Sequence, residues 1–195
     1  RRARFIANVE YTNYTNEELL QLIEDNIDVL DETALLRAAT LVKENDQKVE
    51  LYKKAAKKFD SNTAQYNLGV TYIHMDQLGK AKNALEKCEK DADWYNAMGV
   101  IALRENNLDA ASEYFSCSET KAANANLAVI DILDGDYQAA AKRLADCKCF
   151  NAALAQLLIG NNAPAAALEC GSPKAAYLRA VAAARKGDAA GVKKN

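Results

Sequence analysis

The sequence predicts an all-α protein, a right-handed solenoid of antiparallel helix pairs, and two observations lead to this prediction. A pattern of small and large residues recurs three times, with its small residue at Gly69, Gly99 and Ala128, so the steps are 30 and 29 residues. A fixed period of this length indicates stacked helix pairs. Half of the residues are apolar, with two Pro and eight Gly, which suits a helical domain. The alternative, a closed bundle with accidental similarity, would not keep three registers aligned.

Each copy of the pattern runs through a first helix (helix A), a turn and a second helix (helix B). We expect the small residues to lie where the two helices cross closely, and the large ones to cover the next pair. The copies are Leu68-Gly69-x-x-Tyr72 with Leu78-x-x-Ala81-x-x-x-Leu85, Met98-Gly99-x-x-Ala102 with Leu108-x-x-Ala111-x-x-x-Phe115, and Leu127-Ala128-x-x-Asp131 with Tyr137-x-x-Ala140-x-x-x-Leu144.

The elements before and between the copies have helix-start and turn signals. We expect a lead-in helix over residues 17–26. The acidic stretch 24–32 is most simply a solvent-exposed helix face with negative charge at a helix start. An earlier pair spans 35–55, with its turn at Asn45-Asp46. Caps for the next helices are offered by Asp60-Ser61-Asn62 and by Asp91 or Asp93. The remaining turns are predicted at Asn106-Asn107, Gly135-Asp136, Gly160-Asn161 and Gly187-Asp188.

The helix containing Val129, Ile130, Ile132 and Leu133 has apolar residues too dense for a one-sided surface helix. We expect it to be flanked on both sides, as an inner member of a stack is. The later pairs, 152–170 and 175–191, are shortened, since the turns at residues 135, 160 and 187 are 25 and 27 residues apart.

These copies resemble the tetratricopeptide repeat. The stretches that carry the resemblance are Tyr66-Asn67-Leu68-Gly69-Val70-Thr71-Tyr72 with Gln77-Leu78-Gly79-Lys80-Ala81, Trp94-Tyr95-Asn96-Ala97-Met98-Gly99 with Asn106-Asn107-Leu108-Asp109-Ala110-Ala111, and Asp134-Gly135-Asp136-Tyr137-Gln138-Ala139-Ala140. The family repeat is about 34 residues long, so shorter helices B and tighter links are expected here. The resemblance implies a domain over residues 15–195 with five to six helix pairs.

The first residues differ from the rest. Ala3, Phe5, Ala7, Val9 and Tyr11 alternate as in a strand, and we interpret residues 1–14 as the tail of a preceding domain of a longer protein. This segment, the acidic lead-in helix and the alanine-rich repeats resemble the C-terminal part of OmpA-like cell-envelope proteins of Bacteroidales. That resemblance implies a protein of the periplasm or one associated with the outer membrane, and a cytoplasmic repeat protein is the alternative.

The five cysteines allow two interpretations. Cys88, Cys117, Cys147 and Cys170 fall near the ends of helices B, and Cys149 opens the next pair. The spacing is unlike that of zinc ligands, so no metal site is expected. We favour small buried residues in the places of alanine, with all five thiols free. A disulfide from Cys170 to Cys147 or Cys149 is the other interpretation, in an oxidising compartment.

The sequence contains no recognisable catalytic or cofactor-binding arrangement. His74 is the one histidine, and there is no phosphate-binding glycine loop; His74 faces either the groove or, as we favour, solvent. The lysines at positions 53, 54, 57 and 58 form a basic face of the kind that is usually just solvated. The net charge of −2 does not favour nucleic acid as a partner, and no apolar run could span a bilayer. We therefore expect a protein that is not an enzyme and uses no cofactor.

The repeat architecture is compatible with two alternative functions. The first is a protein–protein interaction scaffold that holds a peptide or an envelope protein on the concave face lined by helices A. The second is an architectural spacer or assembly arm that packs on neighbouring domains or on a second copy. The family's groove for a C-terminal carboxylate uses paired Lys and Asn, and the matching places here do not hold that pair. The predicted binding residues are Tyr66, Asn67, Val70, Ile73, His74, Asn96, Val100, Leu103, Arg104 and Ile132.

Overall fold

The structure, a computed structural model, describes residues 13–169 and 171–194, and this part of the chain contains helices and no strands. The chain divides into two compact units, one ending at Glu89 and one beginning at Lys90. The predicted domain, residues 15–195, contains residues 15–89 of unit 1 and the whole of unit 2. The strand expected within residues 1–11 lies outside the described residues.

Among the described residues, unit 1 contains a lead-in helix and two helix pairs, and unit 2 contains four further pairs. Residues 27–29 form a short 3-10 turn between the lead-in helix and the first pair. The helices of unit 1 are α1 (Asn16–Asp25), α2 (Glu32–Leu41), α3 (Asn45–Phe59), α4 (Asn62–His74) and α5 (Leu78–Leu85). Those of unit 2 are α6 (Ala92–Arg104), α7 (Leu108–Ser118), α8 (Lys121–Leu133), α9 (Tyr137–Arg143), α10 (Phe150–Leu158), α11 (Ala163–Ala166), α12 (Pro173–Arg185) and α13 (Ala189–Lys194).

Short polar residues fix the starts of these helices. The Ser61 hydroxyl accepts a hydrogen bond from the Ala64 N–H at 3.0 Å, and Asp91 accepts from the Trp94 N–H at 2.8 Å. Each satisfies a donor that a helix leaves unpaired in its first turn. The predicted caps are therefore confirmed, with Asp91 rather than Asp93 as the residue before α6.

The turns inside five of the pairs share one geometry. In each pair the residue two positions after the end of helix A has a positive φ. Glycine adopts this conformation freely, and Asp and Asn adopt it more readily than most residues do. The following N–H then donates to a carbonyl five residues earlier, as in a Schellman motif. The residues of positive φ are Asp76, Asn106, Gly135, Gly160 and Gly187, and the bonds run from Gln77 to Tyr72, Asn107 to Ala102, Asp136 to Asp131, Asn161 to Gln156 and Asp188 to Ala183.

The small residues of the pattern lie at helix crossings, as predicted. A Cβ added to Gly69 would lie 2.7 Å from Leu85 Cγ, and one added to Gly99 would lie 2.5 Å from the ring of Phe115. The large residue therefore covers the small residue of its own pair. Phe115 also shares a core cluster with Ala123 of the next pair. It therefore packs against the following pair, as expected, and in addition against the glycine of its own pair.

One of the predicted turns was wrong. Asn45 and Asp46 do not form a turn: they begin α3, and residues 42–44 link it to α2. An exposed Asn-Asp pair suits the first turn of a helix as well as it suits a loop. The expectation that α8 is flanked on both sides is confirmed, since α8 packs on α7 and α9 and also contacts α6 and α10. Leu133, the last residue of this helix, is nevertheless 61% exposed.

Candidate functional site

In unit 2 the first helices of successive pairs lie side by side. Helix α6 contacts α8, α8 contacts α10, and α10 contacts α12; we call these four helices the helix-A row. An amide pair joins the first two, since Asn126 Nδ2 donates to Asn96 Oδ1 at 3.0 Å. The row therefore places side chains from separate repeats next to one another, which is the requirement for a continuous binding surface.

Five predicted binding residues belong to this row. Asn96, Val100 and Leu103 on α6 and Ile132 on α8 are partly exposed, and Arg104 at the end of α6 is exposed. Val100 and Leu103 also pack against the core around Phe115. Their positions are therefore set by the core, while part of each side chain still faces outward.

The other predicted residues lie on α4 in unit 1. Tyr66, Asn67 and Val70 are partly exposed, and His74 is exposed, as we favoured for this histidine. Ile73 is only 6% exposed, so the expectation that it is an exposed residue was wrong. Helix α4 packs against both α3 and α5, which leaves few of its apolar positions open to solvent.

The lysine face of α3 is more than a solvated surface. Lys54 pairs with Asp28 at 2.6 Å, and the Lys58 ammonium donates to the carbonyls of Asp28 and Leu30 at 2.7 and 3.0 Å. The hydrogen bond and charge of Lys54 hold the pKa of Asp28 below its ordinary value. These contacts attach the 3-10 turn to α3, which the sequence analysis did not anticipate because they join residues about 30 positions apart.

Unit 1 has a groove that the sequence analysis missed. It has a volume of about 1130 Å³, lies between α1 and α3, and is lined by apolar side chains including Leu20, Ile23 and Leu51. Leu20 is 42% exposed, and charged residues such as Lys57 also line the groove. None of the ten predicted binding residues lines this groove. The unmatched apolar positions of the lead-in helix were the signal that could have indicated it.

The cysteines divide into different environments. Cys88 is buried, as expected for a small core residue, but Cys117 is exposed. Cys147 and Cys149 form a disulfide across a single intervening residue. Neither interpretation of the cysteines anticipated this bridge. The five thiols are not all free, and the bridge joins Cys147 to Cys149 rather than either of them to Cys170. Cys170 lies outside the described residues.

Among residues 13–169 and 171–194, no group of three His, Cys, Asp or Glu side chains is placed to hold a metal ion. In the same part of the chain, no helix combines the length and the apolar character that crossing a membrane requires.

No protein-family model matches the sequence, and no curated protein is significantly similar to it. Several solved structures are similar in fold, among them the following two. The first is a tetratricopeptide repeat protein from Parabacteroides merdae ATCC 43184, with a TM-score of 0.64 and 13% sequence identity. The superposed region covers 91% of the present chain and 81% of the Parabacteroides chain. The APC/C hetero-tetramer Cut9–Hcn1 gives 0.69 at 19% identity, over 86% of this chain and 38% of that chain. This chain thus spans well under half of the latter protein. The fold is the α-solenoid of tetratricopeptide repeat proteins, and the predicted fold class is confirmed.

Proposed function

We propose that the chain is a non-catalytic protein–protein interaction scaffold that holds a peptide or a protein on helix-A residues. The observation that carries this proposal is the helix-A row of unit 2, where Asn96, Val100 and Leu103 are partly exposed beside α8. A partner would contact several repeats at once. Interfaces depend on a few large anchors surrounded by weaker contacts, and Arg104 at the end of α6 has a side chain of that kind.

The residues of α4 supply a second group for binding, with Tyr66 as its anchor. Tyrosine and arginine are the side chains most often found to dominate binding energies. Because the two anchors lie in different units, their separate replacement shows which unit holds the partner. No cofactor is part of this proposal.

We further propose that the chain belongs to a Bacteroidales cell-envelope protein with an OmpA-like domain, and that it lies in the periplasm or at the outer membrane. The support is the order of features in the sequence, an arginine-rich alternating segment, an acidic helix and alanine-rich repeats. The partner would then be another envelope protein. Fractionation of Bacteroidales cells with an antibody against the chain tests this location, and recovery in the cytoplasmic fraction would refute it.

The binding proposal is tested with the variant Tyr66→Ala/Arg104→Ala and its two single variants. Immobilised parent and variant chains are incubated with solubilised envelope extract, and retained proteins are compared by quantitative mass spectrometry. We expect the double variant to lose the proteins that the parent retains, because two anchors are removed, while far-UV circular dichroism shows the same helical content.

A matched control uses the groove of unit 1. The variant Leu20→Ser changes an exposed residue of that groove and leaves both anchors in place, so it should retain every partner. If Leu20→Ser loses the partners and the double variant keeps them, the groove is the binding surface and the helix-A proposal is wrong. If no variant changes retention, the architectural spacer becomes the better explanation.

A further inference from the structure

The link between α9 and α10 contains a disulfide that contributes little to holding the fold together. Cys147 and Cys149 are separated by Lys148 alone, with their Cα atoms 5.3 Å apart. The entropy that a bridge removes from the unfolded chain grows with the length of the loop it closes, and this loop is nearly the shortest possible. The backbone is already held on both sides, since Cys147 N–H donates to Leu144 at 2.9 Å and Ala153 N–H to Cys149 at 3.1 Å.

The two sulfurs lie in different surroundings. Cys147 and Lys148 are exposed, whereas Cys149 is half-buried and packs against the core cluster that contains Ala128 and Leu144. A disulfide with an exposed sulfur can be reached by an external thiol, and exposed disulfides are the labile ones.

Cys149 is also the residue that precedes the first turn of α10, and no side chain accepts a hydrogen bond from that turn. The first N–H groups of α10 therefore retain donors for an anion, and the N-terminal end of a helix favours negative charge. A thiolate released at Cys149 would be stabilised there, with Lys148 adding a positive charge next to it. Cys149 is thus the better leaving group and Cys147 the more accessible sulfur.

We propose that Cys147 and Cys149 form a redox-active pair that exchanges with low-molecular-weight thiols of the glutathione class. The thiolate of the external molecule attacks Sγ of Cys147, a new S–S bond forms, and the Cys147–Cys149 bond breaks with its electron pair on Cys149. A second external thiolate then attacks the sulfur of the small molecule in this mixed disulfide, and Cys147 leaves as a thiolate. Two small thiols are oxidised to one small disulfide, and the protein gains two electrons and two protons.

Trypsin gives a direct readout, because it cuts after Lys148 and leaves the two sulfurs on separate peptides, residues 144–148 and 149–174. The full chain is equilibrated with graded mixtures of reduced and oxidised glutathione, quenched with acid, alkylated and digested. We expect the two peptides to be joined after oxidised glutathione and separate after reduced glutathione, reversibly, with unchanged helical content. Peptides that never become joined, or that separate only after unfolding, would overturn the proposal.

Peptide 149–174 also contains Cys170, so Cys170→Ser is the matched control. The joined peptides must persist in that variant; their loss would show that Cys170 is the true partner and would overturn the assignment. The roles of the two sulfurs are tested in Cys147→Ser and Cys149→Ser. Alkylation should begin to accelerate at a lower pH for the Cys149 thiol, measured in Cys147→Ser, than for the Cys147 thiol, measured in Cys149→Ser. Equal or reversed midpoints would contradict the assigned leaving group.

Discussion

The helix pairs α6–α7 and α8–α9 are neighbours in unit 2, yet they close their crossings with different side chains. In the first pair, Gly99 has no Cβ and the ring of Phe115 occupies the space that a Cβ would need. In the second, Ala128 shares a core cluster with Leu144, a smaller side chain. The distance in sequence between the two residues is 16 in both pairs. One register thus accepts two combinations of size, provided that a larger residue faces a smaller one.

The two pairs also differ in the length of their second helix and in the size of their core side chains. Helix α7 has 11 residues and α9 has seven, and the cluster around Ala128 contains several further alanines, at positions 140, 141, 152 and 155. Alanine loses little entropy in a helix but buries little surface. The second pair therefore depends on many small contacts, and the first depends on one large side chain. This difference should be visible in the cost of removing each large residue.

The largest effect is expected from Phe115→Ala, compared with Leu144→Ala. Phe115 is 1% exposed, and its removal should lower the free energy of unfolding by about 3–5 kcal/mol. The Leu144 variant should lose about 2 kcal/mol, the lower end for this substitution, because the short α9 and its small neighbours can move into the space. Urea unfolding followed by circular dichroism measures both. Equal losses would contradict the difference between the pairs.

A smaller effect is expected at the glycine itself. In Gly99→Ala the new Cβ would lie 2.5 Å from the Phe115 ring, and the displacement should cost about 1–3 kcal/mol. Gly79→Ala is the matched control, since no atom lies within 4 Å of its added Cβ, and it should gain up to about 1 kcal/mol from helix propensity. Adding Phe115→Leu to Gly99→Ala copies the combination of the next pair and should recover part of the loss. An unchanged Gly99→Ala melting temperature would show that the crossing is not tight.

The smallest effect is expected where the two pairs are alike. Asn107 accepts from the Ala110 N–H at 3.1 Å and Asp136 from the Ala139 N–H at 3.0 Å, so each caps the second helix of its pair. Asn107→Ala and Asp136→Ala should each cost about 1 kcal/mol. Thermal unfolding measures both variants. If they lose similar stability, the two pairs differ in their cores and not in their turns. A loss confined to one of them would mean that the turns differ too.

Caps and turns were predictable because they depend on residues close together in sequence. Ser61 and Asp91 precede their helices at the expected positions, and Gly135-Asp136 is a turn as predicted. A cap needs one short polar side chain and an N–H two or three residues later. The error at Asn45 shows the limit, since the same residue types favour a loop and the first turn of a helix.

The candidate site was less predictable because exposure depends on neighbouring elements. Ile73 and Leu103 both follow the glycine of their copy by four residues, but Ile73 is buried and Leu103 is partly exposed. The groove beside Leu20 is lined by residues of α1, the end of α2 and α3, and no local pattern expresses such an arrangement of three helices. The disulfide required the geometry of the link between α9 and α10, since from the sequence only Cys170 was considered as a partner for Cys147 or Cys149.

The sequence by itself determined the repeat register, the helix starts and the alternation of small and large residues, because hydrogen bonds in turns and the absence of a Cβ act over a few residues. Only the tertiary structure decided which apolar side chains remain exposed, which lysines hold the 3-10 turn and which cysteines are joined. Those outcomes depend on distances between segments far apart in the chain. Such distances are set by the packing of whole helices, which is a sum over many small contacts.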